Sequence, residues 1–455
     1  MNTKTSLDTS GLGGHPKGLT TLFFTEMWER FSYYGMRAIL VLYMVAPVAN
    51  GGLAFDTKTA ASLYGTYTMS VYLMSLPGGL IADRILGARL AVLLGGIIIA
   101  CGHFSMVFSS LPFFYAGLVL IALGTGLLKP NISTMVGSLY GENDPRRDSG
   151  FSIFYMGINL GAVLAPLVCG YLAQGEGFKR WLASLGFDPA SSWHWGFGAA
   201  GVGMTLGLIV YLAHRRRLAH IGQMTRKPKD TLKAAARPPL TAAEWKRVGA
   251  IFIFFLFTIL FWAAYEQKGA SLNLFADRLV RTEAFGYTFP SSWLQSTTAF
   301  FVIILAPLFS MLWVRMGERQ PSSPAKFTLG LLFIGAGYLL MIPAAMLTAA
   351  GKISPLWLIG LYFLEVVGEM CLSPVGLSVV TKLAPAKVLG LMMGVWFLAA
   401  ALGNKLAGYF AGFFDANDAG VLTTLYGGIA AGLLLAAVVL AALTPAIRKM
   451  MGTVH

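Results

Sequence analysis

Charge is what this 455-residue chain has least of. Only 12% of its residues are charged, 34 basic and 20 acidic, about half of the ~25% carried by an ordinary soluble domain. That scarcity excludes a string of soluble domains, which the length alone would have allowed. Cysteine is scarcer still. Cys101, Cys169 and Cys371 are the only three, each inside an apolar run, so neither a disulfide framework nor a CxxC pair is available. His103 and His194 stand without HExxH or CxxC companions, which argues against a metal site. A P-loop and a nucleophile elbow are both missing, which argues against an ATP-driven pump, and nothing calls for a cofactor. Residues 1–18 lack an apolar h-region, so no cleaved signal peptide is expected.

What is present is apolar. Such residues make up 56% of the chain, enough at about 20 per span for a dozen transmembrane helices. Runs of helical length fall at about 20–46, 57–82, 91–109, 111–136, 149–173, 194–213, 248–266, 292–314, 327–350, 354–383, 388–412 and 420–445. Twelve spans put both termini on one side. The long polar connection, residues 214–247, divides the chain into two six-helix bundles, 1–213 and 248–455. It carries ten basic residues: Arg215, Arg216, Arg217, Arg226, Lys227, Lys229, Lys233, Arg237, Lys246 and Arg247. With the termini inside, inner loops and tails hold 23 Lys and Arg against 6 in the outer loops. The asymmetry places termini and linker in the cytoplasm. The net charge of +14 is therefore an orientation signal and not the footprint of a nucleic-acid partner, and the linker is expected to be a solvated tether, with an anionic-lipid contact as the alternative.

Ionisable groups at bilayer depth are costly unless paired or facing a wet cavity, so each is a functional candidate. The first span is densest, with Glu26, Glu29, Arg30, Tyr33, Tyr34 and Arg37. Intervals of three and four residues put Glu26, Glu29/Arg30, Tyr33 and Arg37 on one helical stripe. Two carboxylates beside one guanidinium favour binding a proton on one acid, the chemistry of a proton-coupled switch. Lys129 precedes Pro130 in the fourth span, which should loosen the helix there. Glu266 and Lys268 end the seventh, and Glu365 and Glu369 precede Pro374 in the tenth. Bases in the first half and acids in the second can attract one another, and exchange of such pairs would alternate access. Lys268 and Lys405 are expected to snorkel at helix ends.

Around these charges Tyr72, Tyr155, Asn159, Trp262 and Trp396 could line an amphiphilic pocket, Asn159 because a mid-membrane amide needs a polar partner. Gly157/Gly161 and Gly390/Gly394 have the spacing of close helix packing. The loop Gly78-Gly79-Leu80-Ile81-Ala82-Asp83-Arg84-Ile85-Leu86-Gly87-Ala88-Arg89 resembles the signature of the major facilitator superfamily, in which Gly permits close helix approach and Asp and Arg brace neighbouring helix ends. A basic, Gly-containing turn at Arg315-Met316-Gly317-Glu318-Arg319 is a partial echo of it in the second half.

The segment Glu26-Met27-Trp28-Glu29-Arg30-Phe31-Ser32-Tyr33-Tyr34-Gly35 resembles the ExxERFxYYG signature of the proton-dependent oligopeptide transporter family. The likeness extends to Leu128-Lys129-Pro130-Asn131, to Phe154-Tyr155 with Asn159 and Gly161, to Tyr265-Glu266-Gln267, and to Gly368-Glu369 with Ser373-Pro374. It implies an all-α membrane protein of the major facilitator fold, not an enzyme, that imports di- and tripeptides with protons across the cell inner membrane; nothing in the sequence demands more than a monomer. It further implies that Arg30, Tyr34 and Lys129 hold the peptide carboxylate. Asn159, Glu266 and Glu369 would receive its ammonium group, with Ser373 beside them. Arg37 with Glu266 and Lys129 with Glu369 would be gate pairs. Glu26 and Glu29 would take the proton beside Arg30, with Glu266 or Glu369 sharing that role.

Two features depart from the family pattern. Residues 214–247 are too polar to supply the extra helix pair of many bacterial members, so twelve helices are expected. Thr298 stands where many relatives carry an Asn, which bears on how one end of the ligand is held. Import of another anion such as nitrate is the nearest alternative, but Glu266 and Glu369 have no purpose there. Drug efflux would want a looser cavity without the Arg30/Lys129 pair, and no filter repeat or catalytic constellation supports a channel or an enzyme.

Overall fold

A computed structural model describes residues 8–141, 144–223, 239–284, 286–385 and 387–452. Lys4 and the linker's Arg226, Lys227, Lys229, Lys233 and Arg237 lie outside the described residues. The described chain is helical almost throughout. In order it forms α1 (Lys17–Val45), α2 (Thr57–Leu73), α3 (Ser75–Ile81), α4 (Ala88–Ser105), α5 (Leu111–Ser138), α6 (Arg147–Gln174), α7 (Glu176–Ser184) and α8 (Ser192–Ala213). Then come α9 (Ala242–Tyr265), α10 (Ser271–Leu279), α11 (Ser296–Met316), α12 (Ser323–Leu347), α13 (Leu356–Leu383), α14 (Leu389–Ala411) and α15 (Ala419–Met451). A two-residue hairpin pairs Glu283–Ala284 with Tyr287–Thr288.

Ten helical segments among the described residues are long and apolar enough to cross a bilayer. The remaining two of the expected twelve fall short for physical reasons. α1 is 29 residues long but holds Glu26, Glu29, Arg30 and Arg37. The second span is broken at Met74 into α2 and α3 and runs on into a π turn at Ala82–Leu86. Helix ends are set by local chemistry. Thr241 and Glu244 form a reciprocal capping box at the start of α9, and the Asp418 carboxylate accepts from the Gly420 and Val421 amides at the start of α15.

The chain divides into two compact units, Met1–Ile39 with Leu73–Arg226, and Leu40–Tyr72 with Lys227–His455. In the first unit, α4 packs on α5 and α8, and α6 on α8. Leu22, Val92, Leu128, Ile132, Phe154 and Met204 lie in its buried core. Arg89 of the signature loop braces the helix ends here: its guanidinium donates to the Ala219 carbonyl at 3.2 Å, and its own carbonyl accepts from the Tyr211 hydroxyl at 3.0 Å, while Asp83 and Arg84 are exposed. The segment before α1 is strapped to the same end. Arg146 donates to the carbonyls of Asp8 (2.9 Å) and Gly14 (2.8 Å) and pairs with Asp144 at 2.8 Å, while His15 Nδ1 lies 2.8 Å from the Tyr140 hydroxyl.

In the second unit, α12 packs on α13 and α15, and α9 on α14. The Phe254 and Phe327 rings meet at 4.6 Å. Lys405, expected to snorkel, instead donates from mid-helix to Thr66 on α2 at 2.7 Å. Gly390 has open space where a Cβ would stand, so it does not serve close packing.

Candidate functional site

In the first unit the site is built on one stripe of α1. Arg30 Nε lies 3.1 Å from Glu26 Oε1, its Nη2 donates to Glu29 Oε1 at 2.7 Å, and Nε also engages Glu29 Oε2. All three side chains are almost wholly buried. Glu26 Oε2 has no hydrogen-bond partner among the described residues. The Tyr33 ring continues the stripe, with the Arg30 guanidinium 5.4 Å and the Arg37 guanidinium 6.0 Å from its centre. Tyr34 packs edge-on against Tyr33 at 5.2 Å.

Two glycines allow this stripe to be buried. A side chain at Gly35 would strike the Cys169 sulfur on α6, and one at Gly161 would strike the Met27 carbonyl and approach Arg30 Cβ at 3.2 Å. α6 therefore lies directly on the charged segment of α1, excluding lipid from it. The Gly157/Gly161 spacing does serve close packing, since a Cβ at Gly157 would meet the Phe23 ring at 2.9 Å.

Lys129, half-buried on α5, is near enough for its charge to act on Glu26, and Tyr34 acts likewise on Arg30. Glu26, Glu29, Arg30, Tyr34 and Lys129 are thus one electrostatic cluster. Two acids face two cations across it, so Lys129 supplies compensation that the α1 sequence alone did not show. After Pro130, the Asn131 amide donates to the Leu127 carbonyl at 2.6 Å, pinning the loosened turn. Asn159 is buried on α6 and donates to the Tyr155 carbonyl at 2.9 Å, so its partner is its own helix. Tyr155 is largely exposed.

In the second unit the site collects where α9 stops. A short 3-10 turn, Glu266–Gly269, follows the helix. Gln267, fully buried, donates to the Ala407 carbonyl on α14 at 3.0 Å and accepts from Ser271, while Tyr338 on α12 donates to the Ala264 carbonyl at 2.8 Å. The Tyr338 bond, with one from Gln267 Nε2 to the Ala263 carbonyl at 3.2 Å, serves carbonyls in the last turn of α9, where a helix end at membrane depth needs protein partners. Glu266 is buried on that turn. Tyr265 donates its hydroxyl to Glu369 Oε2 on α13, and the Lys268 ammonium stands 3.5 Å over the Tyr265 ring. Trp262 meets the same ring edge-on at 5.1 Å.

Thr298 is buried in the first turn of α11, and its hydroxyl, like that of Ser373 on α13, has no hydrogen-bond partner among the described residues. Trp396 is half-buried on α14, against Gly376 and 6.2 Å from the Phe327 ring. Tyr72 is half-buried in this unit. Sequence reasoning gave no role to Tyr265 or Gln267. Their signal was present: hydrogen-bonding side chains flanking an intramembrane Glu at a helix end.

Two apolar cavities among the described residues hold none of the expected site residues. One, about 870 Å³, is walled in the first unit by Trp28, Phe104, Val168 and Val202. The other, about 750 Å³, is walled in the second by Phe410, Phe413, Leu425 and Leu433. Both are apolar clefts on helix flanks.

A model of the POT family matches residues 89–237 and 230–425. The chain is 40% identical to an uncharacterized transporter of Bacillus subtilis, YclF, over 93% of this chain and 94% of that one. It is 37% identical to the peptide transporter YePEPT of Yersinia enterocolitica, over 98% of each. Its structure is similar to a crystal structure of a mutant peptide transporter POT in complex with alafosfalin, with a TM-score of 0.88, 39% identity and 98% of each chain covered.

Proposed function

The chain belongs to the POT family, of the major facilitator superfamily, and from that premise we propose that it is a proton-coupled symporter importing di- and tripeptides by alternating access. The observation that carries the reading is the buried cluster in which Arg30 is shared by Glu26 and Glu29 while Lys129 acts on Glu26. Its charges balance only while no other anion is present. A peptide carboxylate entering against Arg30, Lys129 and Tyr34 brings one negative charge too many, and a proton on Glu26 or Glu29 restores neutrality. Peptide and proton therefore bind as a pair, which is what symport requires. Charge-assisted bonds to fixed cations are the strong ones, so the carboxylate end provides affinity while the peptide's side chains vary.

The ammonium end goes to the second unit. Glu266 and Glu369 are buried acids there, and Glu369 is oriented by Tyr265. Asn159, Thr298 and Ser373 offer polar contacts, and Tyr72, Tyr155, Trp262 and Trp396 offer apolar wall. Glu266 and Glu369 share in proton handling, and the opposite charges of Arg37 with Glu266 and of Lys129 with Glu369 exchange partners as access alternates. The excess of Lys and Arg in one set of loops supports a cell inner membrane protein with cytoplasmic termini and with residues 1–213 and 248–455 as its halves. Nothing in the chemistry requires more than a monomer.

Uptake of labelled dialanine by proteoliposomes tests the substrate. Unlabelled trialanine should compete, and free alanine and nitrate should not. Competition by nitrate without competition by trialanine would overturn the reading.

A further inference from the structure

One buried acid of the second unit has no part in the scheme above. Glu365 lies on α13 one helical turn before Glu369 and is wholly buried. Neither of its carboxyl oxygens has a hydrogen-bond partner among the described residues. The titratable groups that act with it come from every side. The charge of Lys268 acts on it from the turn after α9 and that of Glu369 from its own helix, and its charge acts in turn on Tyr338 of α12 and on Tyr362. Tyr426 of α15 acts on the same two tyrosines.

The hydroxyls around it are committed elsewhere, with one exception. Tyr338 donates to Ala264, Tyr265 to Glu369, and Tyr426 lies 3.4 Å from the Ser271 carbonyl. Tyr362, a turn before Glu365, has a hydroxyl that is buried and without a partner among the described residues. An ionised carboxylate in such a place, neither hydrogen-bonded nor paired, is among the costliest groups a protein can hold, whereas the neutral acid is tolerated. Two acids and one nearby ammonium can be neutral together only if one acid carries a proton. Glu369 already accepts the Tyr265 hydroxyl beneath the Lys268 ammonium, so the proton belongs on Glu365.

We propose that Glu365 is a proton-binding site of the second unit, separate from the Glu26/Glu29 pair, whose proton exchanges with water according to which of Glu365 and Glu369 the Lys268 ammonium serves. While Lys268 serves the Tyr265–Glu369 pair, Glu365 is a neutral acid. When the ammonium turns to Glu365, the O–H bond of its carboxyl breaks, the proton passes to water and the carboxylate keeps the electron pair. The site deepens the symport reading and rests on it for the transport readout, but not for the spectroscopic one.

Infrared difference spectra of the full-length protein in lipid vesicles, recorded on stepping from acid to alkaline pH, test the site directly. The wild type should lose the carbonyl stretch of a protonated carboxyl that Glu365→Gln lacks and that Glu365→Asp shows at an altered frequency. If Glu365→Gln does not fold, the shift in Glu365→Asp decides. A difference band unchanged in these variants, or no such band in the wild type, overturns the proposal. In the same vesicles Glu365→Gln should lower dialanine accumulation by about tenfold per unit of pH gradient, with counterflow exchange retained. Unchanged accumulation overturns the proposal too. Failure of the wild type to carry dialanine at all would contradict the peptide reading and leave the infrared result to decide on Glu365.

Discussion

Arg30 reaches back one helical turn to Glu26, Nε to Oε1 at 3.1 Å, with both side chains almost wholly buried. Neither can be removed cheaply, because deleting one member of a buried ion pair leaves the other uncompensated, at a cost of about 3–5 kcal/mol. Arg30→Ala should therefore lower the melting temperature of the purified protein as well as abolish transport. Glu29→Gln, which keeps the shape and removes one acid, should abolish uptake driven by a pH gradient while counterflow exchange of dialanine stays measurable. Equal loss of both activities would remove Glu29 from the coupling mechanism.

Lys129 answers a different question. Its half-buried ammonium acts on Glu26 from α5. A charge-assisted bond to a substrate carboxylate is worth about 1.5–3 kcal/mol. Lys129→Gln should raise the dissociation constant for dialanine by about 10- to 150-fold, measured by calorimetry. A constant within about twofold of the wild type would place the peptide carboxylate elsewhere.

The α1–α6 contact is predicted to be intolerant of volume. Gly161→Val would drive methyl groups into the Met27 carbonyl and the Arg30 stem, and overpacking of this kind costs about 1–3 kcal/mol. The melting temperature should fall and pH-gradient-driven uptake with it, since the stripe that holds the proton is displaced. Gly390→Ala, with open space at its Cβ, should change neither.

Thr298 presents a buried hydroxyl without a partner among the described residues. Thr298→Val removes that unsatisfied group at nearly constant volume, so stability should hold or rise by up to about 1 kcal/mol. If the hydroxyl meets the ligand, dialanine affinity falls by up to about tenfold. Unchanged affinity for both dialanine and trialanine would exclude Thr298 from the site.

The strap at residues 8–15 should respond to pH. The hydrogen bonds from Arg146 hold the Asp144 carboxyl below the usual aspartate range, and the Ser10 hydroxyl does the same for Asp8. A carboxyl with a depressed folded value stabilises the fold above its unfolded value and loses that contribution as the pH falls through the folded one. Protection of the Gly11 amide, which donates to the His15 carbonyl at 2.7 Å, should be present at neutral pH and lost in acid below the usual aspartate range. Asp144→Asn should lose it at neutral pH as well. Hydrogen exchange read by mass spectrometry checks both.

What could be read from the sequence followed from local spacing. The stripe of Glu26, Arg30, Tyr33 and Arg37 is legible because helical intervals of three and four fix a shared face whatever lies opposite. The long apolar runs are legible for the same reason. The break at Met74, the short α7 and α10, and the 3-10 turn at Glu266–Gly269 were not, because each depends on what the neighbouring helices satisfy. The bond between Tyr265 and Glu369 joins residues 104 positions apart, and no periodicity encodes it. Lys405 shows the limit of a rule about single residues. Snorkelling is sound for a lone lysine at a helix end, but Lys405 has the Thr66 hydroxyl of α2 within hydrogen-bond reach at 2.7 Å.

The central claim is that peptide and proton bind together at the Arg30 cluster. It is tested most directly by adding dialanine outside proteoliposomes that start with no pH gradient and hold a trapped pH-sensitive dye. Dialanine should acidify the lumen in the wild type and fail to do so in Glu29→Gln. Dialanine entering wild-type vesicles at full rate with no change in lumenal pH would contradict the account.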